Sequence, residues 1–201
     1  MILRSSPASP FARKVRIAAI MLGLDGRIKV EAADTVNPSD TVRQQNPLGK
    51  IPALVLDDGM VLFDSRVISE YLDHLAGGGR IIPTEPKARF AALRLQALAD
   101  GIMDAGILLV YEGRWRDAAR HEAKWVEHQA GKVARALASL EAALPRRDTP
   151  PTVGQIALAC ALAYQDFRFH GAWRKDHPGL VKYLEDFAAA VPAFAATVPP
   201  T

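Results

Sequence analysis

The hydrophobic periodicity of this chain changes after about residue 86, and that change constrains the fold more than any other feature. Before it, short extended runs alternate with helical repeats; after it, the apolar spacing is helical throughout. Across 201 residues this pattern favours two small packed units, an α/β unit followed by an all-α unit. We predict the first domain over residues 1–76, a glycine- and proline-containing linker over 77–86, and the second domain over 87–201.

The first domain is predicted to contain a mixed four-stranded sheet. We expect strands over residues 2–4, 27–33, 52–56 and 60–63, helices over 10–22 and 65–75, and one short helix within 34–50. A helical crossover joins parallel strands, whereas the tight turn at Asp57-Asp58-Gly59 joins antiparallel ones. Both connections are present, so the sheet must be mixed. The basic cluster Arg13–Arg16 is interpreted as a solvated helix face.

The second domain is predicted to be a helical bundle. Apolar residues recur at helical spacing in two long segments: Ala91, Leu95, Leu98, Ile102 and Leu109, then Val126, Val133, Leu137, Leu140 and Leu144. Thr152 and Gln155 match a capping box, so a helix should begin at Thr152. The following segment, Ile156–Ala163, has almost no polar face and should lie at the centre of the bundle. A last helix is expected over Leu180–Ala190.

Composition argues against several classes of protein. The chain has 25 basic and 22 acidic side chains, a net charge of +3, and no dense basic stripe, so we expect no nucleic-acid partner. No apolar segment approaches the roughly 20 residues that cross a membrane, and the N-terminus does not resemble a secretory signal, so a cytoplasmic protein is expected. The single cysteine, Cys160, excludes an intramolecular disulfide and is interpreted as buried packing; the scattered histidines predict no metal site.

Ser9 is the first candidate for chemistry. It precedes Pro10 where the first loop becomes the first helix, a position that suits an N-cap. The start of a helix carries partial positive charge and unpaired amides, and a hydroxyl there could donate to a thiolate. A plain helix cap is the alternative interpretation, and Ser5 and Ser6 in the same loop are alternative hydroxyl donors.

Two further segments carry more specific signals. If the Ile51-Pro52 bond is cis, the Ile51 backbone would turn outward to pair with an extended ligand. Ser65 is predicted to be the N-cap of the third helix, over residues 65–75. With Asp64 it also presents a carboxylate, a hydroxyl and helix amides, which could hold the charged amino and carboxyl groups of an amino acid.

Taken together, these segments resemble the glutathione S-transferase superfamily, in its bacterial serine-type branch. The resemblance is carried by SPFxxKVRI at 9–17, NPLGKIPAL at 46–54 and DSRVISEYL at 64–72, and the segment 192–197 is similar to the family's usual ending. It implies a thioredoxin-like N-terminal domain, an all-α C-terminal domain, a homodimer, and glutathione as co-substrate.

The resemblance also implies residue roles. Ser9 would hydrogen-bond the glutathione sulfur, and Asp64 and Ser65 would hold the γ-glutamyl end. Lys50 would lie near the glycyl carboxylate, while Ile51, before a cis-Pro52, would offer backbone bonds to the cysteinyl part. The family usually has Glu where Asp64 stands and Asp where Gln155 stands.

The implied reaction is attack of a bound thiolate on a hydrophobic electrophile. A free thiol has a pKa of about 8.5, so the protein must stabilise the anion. We expect the second substrate between Phe11 and the C-terminal helices, with Tyr111, Arg114 and Trp115 as its wall, although such aromatic residues also suit a core or an interface. The alternatives are a glutathione-dependent isomerase, dehalogenase or peroxidase, and a non-catalytic binding or regulatory protein with the same fold.

Overall fold

The computed structural model describes residues 1–199, which form four strands and eight α-helices. The first part contains β1 (Ile2–Ser5), α1 (Pro10–Met21), β2 (Lys29–Ala32), α2 (Val42–Gln45), β3 (Ala53–Val55), β4 (Val61–Leu62) and α3 (Ser65–Leu75). The second contains α4 (Pro86–Trp115), α5 (Ala123–Ala142), α6 (Val153–Phe169), α7 (Pro178–Ala190) and α8 (Pro192–Ala195). Within the described residues, no helix combines the length and the apolar character needed to span a bilayer.

The four strands form one mixed sheet in the order β2-β1-β3-β4. β1 runs parallel to β2 and antiparallel to β3, and β3 pairs antiparallel with β4. Leu3 lies opposite Leu54 in the two central strands, and both side chains are fully buried. The predicted α/β domain with a mixed four-stranded sheet, followed by a helical domain, is therefore confirmed.

The central helix of the second domain is α6, as the sequence predicts. Every residue from Ile156 to Leu162 is at most 1% exposed. The capping box at its start is formed, and the Gln155 side-chain oxygen accepts the Thr152 N–H at 2.5 Å. α6 packs against both α1 and α4, so a single apolar core runs from the sheet into the helical bundle.

Gly154 allows the backbones of α4 and α6 to approach each other closely, because it has no side chain. A Cβ atom at this position would lie 2.4 Å from the carbonyl oxygen of Ala92 and 2.9 Å from the Cβ of Leu95. Neither of these neighbours is the flexible end of a long side chain. Glycine is thus the only residue that fits the first turn of α6 without moving α4.

The buried face of α4 is rotated from the predicted stripe. Ala91 is exposed and Leu95 and Leu98 are only partly buried, whereas Gln96 and Asp100 are 3% and 0% exposed. The prediction counted apolar residues alone, but here the buried face includes polar side chains. Past the end of α5, Leu144 also departs from its predicted stripe and is 47% exposed.

The last long helix begins at Pro178, two residues before the predicted start. Glu141, on α5, accepts the N–H groups of Gly179 and Leu180 at 2.8 and 2.9 Å. A carboxylate from a distant helix therefore satisfies amides that a local cap usually satisfies. Rules that use only neighbouring residues cannot predict such a partner, because Glu141 is 38 residues from Gly179 in the chain.

The segment after α3 is held in place by one side chain. Asp73 accepts the backbone N–H groups of Gly79, Arg80 and Ile81 at 2.7–2.9 Å. Ile81 in turn accepts the N–H of Val153 at 2.8 Å, which ties this segment to the start of α6. The division of the chain into domains at 77–86 stays a prediction.

Candidate functional site

Ser9 lies at the N-terminus of α1 and caps it. Its side-chain oxygen accepts the Ala12 N–H at 3.2 Å, and its own N–H donates to the Ser6 carbonyl at 3.0 Å. Accepting this bond leaves the hydroxyl hydrogen free to donate. Ser5 is 4% exposed within β1 and Ser6 lies four residues before the first residue of α1, so of these three serines Ser9 alone is at the positive end of α1.

A narrow crevice of about 10 Å³ lies beside Ser9, between the start of α1 and α6. It is lined by Ala8, Ser9, Pro10 and Arg13 on one side, by Cys160, Ala163, Tyr164 and Phe167 on the other, and by Pro199. Tyr164, which is 5% exposed, is a crevice residue that the sequence did not indicate. It directly follows Ile156–Ala163, the segment for which the sequence predicted only a buried position at the centre of the bundle.

Cys160 is buried, as predicted, and its surroundings disfavour the thiolate form. Only 1% of the residue is exposed, and this burial raises the pKa of Cys160 to about 12, although Arg13 and Lys14 oppose the shift. A neutral thiol is much less nucleophilic than a thiolate. Thiolate chemistry in this crevice therefore requires a sulfur from another molecule.

The loop before β3 is organised by Asn46. This buried side chain donates to the Lys50 carbonyl at 2.9 Å and accepts the Leu48 N–H at 3.1 Å. The Ile51-Pro52 peptide bond is cis. Lys50 is exposed, Ile51 is partly buried and Pro52 is buried directly before the strand.

The N-cap of α3 is Asp64, so the prediction that Ser65 caps this helix is wrong. The Asp64 carboxylate accepts the Arg66 N–H at 2.9 Å, and its own backbone is extended. Ser65 is the first helical residue and is 2% exposed. Asp64 is exposed, so this turn presents a carboxylate to solvent directly before the amides of α3.

Behind this turn, Asp100 of α4 joins three helices. Its two carboxylate oxygens accept from Lys14 Nζ at 2.7 Å and from Arg66 Nε at 2.8 Å. The side chains of Lys14 and Asp100 are both 0% exposed. The interpretation of Arg13–Arg16 as a solvated face is therefore wrong for Arg13 and Lys14, because their partners lie on distant parts of the chain.

One turn after Asp100, Asp104 faces the same group of charges. Desolvation and the charge of Asp100 raise the pKa of Asp104, while Arg66 and Lys50 lower it and Asp64 raises it. The structure thus brings Lys50 and Asp64 within electrostatic reach of one carboxylate on α4. An acidic pair four residues apart on a helix is the signal that the sequence analysis missed.

The predicted substrate wall lies near the C-terminal end of α4. The Arg114 guanidinium is 5.1 Å from the centroid of the Tyr111 ring. Arg114 and Trp115 line a separate pocket of about 360 Å³ with Gly113, Arg116, Asp117 and Arg120. Phe11 packs against the core, with Lys14 Nζ 5.8 Å from its ring centroid. None of these four predicted residues lines the crevice beside Ser9, and their role stays a prediction.

Comparison with known proteins gives the family. A sequence profile described as the glutathione S-transferase N-terminal domain matches residues 8–75, and one described as the C-terminal domain matches residues 123–186. The chain belongs to the glutathione S-transferase family, as the resemblance predicted. It is 37% identical over 205 residues to the uncharacterized GST-like protein YibF of Escherichia coli K12, covering 100% of this chain and 99% of YibF.

Two solved structures extend this similarity. A glutathione transferase family member from Pseudomonas fluorescens Pf-5, with bound glutathione, is 43% identical with a TM-score of 0.92, over 100% of this chain and 99% of that one. A glutathione S-transferase from Methylobacillus flagellatus KT, with glutathione bound, is 36% identical with a TM-score of 0.91, over 99% of both chains. The thioredoxin-like fold of the first domain and the helical second domain agree with both.

Proposed function

We propose that this protein is a glutathione transferase of the serine type, which binds glutathione and uses its thiolate to attack a hydrophobic electrophile. The observation that carries the proposal is the placement of the Ser9 hydroxyl at the N-terminus of α1 with its hydrogen free to donate. The two solved relatives, which contain glutathione and align over nearly the whole chain, support it. A cytoplasmic homodimer belongs to the same proposal.

Glutathione would lie along the turns that carry the candidate residues. The exposed carboxylate of Asp64 suits the ammonium group of the γ-glutamyl end, and the nearby Ser65 and α3 amides suit its carboxylate. The backbone of Ile51, before Pro52, would pair with the cysteinyl part. Lys50 is exposed and would lie near the glycyl carboxylate.

In this arrangement, the sulfur reaches the start of α1. The Ser9 hydroxyl would donate a hydrogen bond to the thiolate, and the helix N-terminus adds partial positive charge. Both interactions favour the anion, so the thiol loses its proton to solvent at a lower pH than in free glutathione. The thiolate then forms a carbon–sulfur bond with the electrophile as the bond to the leaving group breaks and the leaving group takes the electron pair.

The test compares Ser9→Ala with Ser9→Thr, which keeps a hydroxyl, and with Ser6→Ala. We expect Ser9→Ala to raise the pKa of bound glutathione, followed by thiolate absorbance, and to lower kcat/KM with 1-chloro-2,4-dinitrobenzene at neutral pH about tenfold or more. The other two variants should retain most of the parent's activity. An unchanged thiol pKa in Ser9→Ala would remove Ser9 from the mechanism, and a parent protein that does not bind glutathione would refute the proposal.

A further inference from the structure

Tyr164 lies beside the crevice at Ser9, and arginine side chains lie near its ring. Its ring lines the crevice. One turn further along α6, the Arg168 guanidinium lies 5.9 Å from the centroid of the Tyr164 ring and 4.3 Å from that of Phe167, which also lines the crevice. Arg168 is partly buried, and its Nε atom is fully buried with no hydrogen-bond partner in residues 1–199.

A second arginine approaches Tyr164 from α4. Burial raises the pKa of Tyr164 and Tyr111 raises it further, whereas the charge of Arg168, a side-chain hydrogen bond with Arg168 and the charge of Arg114 lower it. Arg114 and Tyr111 are therefore close enough to Tyr164 to affect its ionisation. Arg114 and Tyr111, two of the residues predicted to form the substrate wall, therefore lie near Tyr164, although neither lines the crevice.

A third arginine lies in the crevice itself. Arg13 donates to the Phe194 carbonyl at 2.8 Å and to the Thr197 hydroxyl at 3.3 Å, both of which are uncharged. Among the described residues, no carboxylate lies within 4.0 Å of Arg13, Arg114 or Arg168. Arg66 and Arg174, by contrast, each contact an aspartate at 2.7–2.8 Å.

We infer that the electrophile carries a carboxylate or a similar anionic group, which Arg168 and Arg114 bind beside Tyr164. The inference rests on the proposed function and adds a class of substrate to it. Arg168 is partly buried and Arg114 is exposed, and neither has a carboxylate partner within residues 1–199. Guanidinium groups without a counter-ion favour an anion over an isosteric neutral group, and the preference is greatest at the partly buried Arg168, because charge-assisted hydrogen bonds are stronger where water is excluded. The apolar part of the substrate would pack against Tyr164 and Phe167, between these arginines and the sulfur at Ser9.

The experiment measures the binding of two matched glutathione conjugates by calorimetry. S-(4-carboxybenzyl)glutathione carries the anionic group, and S-(4-carbamoylbenzyl)glutathione replaces it with a neutral amide of similar shape. We expect the parent protein to bind the carboxylate at least about tenfold more tightly. Arg168→Gln should reduce this ratio to about one without changing the affinity for the amide, and Arg168→Lys should restore part of the preference.

Arg94→Gln removes a positive charge from an exposed position on α4 and serves as the control. It should leave the ratio unchanged, which separates a local contact from the net charge of the protein. Equal binding of the two conjugates by the parent would overturn this inference and leave the proposed function standing, whereas failure to bind either conjugate would refute both. If Arg168→Gln does not fold, the ratio in Arg114→Gln decides: a preference that persists in full overturns the inference.

Discussion

Lys14 and Asp100 form an ion pair of 2.7 Å in which neither side chain has any exposed surface. The pair joins α1, which begins at Ser9, to α4, and the second oxygen of Asp100 contacts Arg66 of α3. Removing two charges from water is costly, and the cost is recovered only when the groups are well paired. The helices that carry Ser9 and Asp64 therefore share a single buried anchor.

Lys14→Met should destabilise the protein by about 3–5 kcal/mol, because it leaves a buried carboxylate with Arg66 as its remaining partner. The measurement is urea denaturation followed by circular dichroism. The double variant Lys14→Met/Asp100→Leu should lose less than the sum of the two single variants, since no unpaired charge remains. If the losses in unfolding free energy were additive, the charges of Lys14 and Asp100 would contribute to stability independently of each other.

Gly154→Ala should cost about 2–3 kcal/mol of unfolding free energy, because the new Cβ would overlap the backbone of α4. Gly101→Ala is the matched control: it lies within α4, and a Cβ there meets nothing within 4 Å. That variant should gain about 0.5–1 kcal/mol from helix propensity. Denaturation midpoints with unchanged m-values check both effects, and equal effects of the two substitutions would contradict the close approach of α4 and α6.

Asp64→Asn should weaken glutathione binding about tenfold while leaving stability nearly unchanged. Asparagine caps helices as well as aspartate does, so only the charge is lost. Calorimetric titration with glutathione and a denaturation curve measure the two effects on the same sample. Asp64→Ala, which loses both charge and cap, should also lose about 1 kcal/mol of stability. Unaltered affinity in Asp64→Asn would exclude a role for this carboxylate in binding.

Cys160 should make the protein less stable at high pH. Its folded pKa of about 12 is above that of an unfolded thiol, so unfolding releases a proton between about pH 9 and 12 and stability falls across that range. Cys160→Ala should flatten this part of the stability curve relative to the parent. In the parent at pH 8, a thiol reagent such as dithionitrobenzoate should react only after denaturation; rapid reaction with the native protein would contradict the buried, neutral thiol.

Much of the fold follows from local rules. The burial of Ile156–Leu162 follows from a helix without a polar face, and the start of α6 follows from the capping box of Thr152 and Gln155. The hairpin between β3 and β4 follows from a turn in which Gly59 has a φ of +89°. In each case the residues that determine the structure are neighbours in the chain, so the pattern contains the whole interaction.

The candidate site depended more on tertiary structure. The sequence alone placed Ser9 at the start of α1, because that cap is local, but it assigned the cap of α3 to Ser65 when Asp64 forms it. It placed Lys14 in solvent and gave no role to Asp100 or Tyr164, because each acquires its partners from a distant segment. Only folding sets the pairing of charges 86 positions apart, since the sequence does not show which polar residues will be buried together.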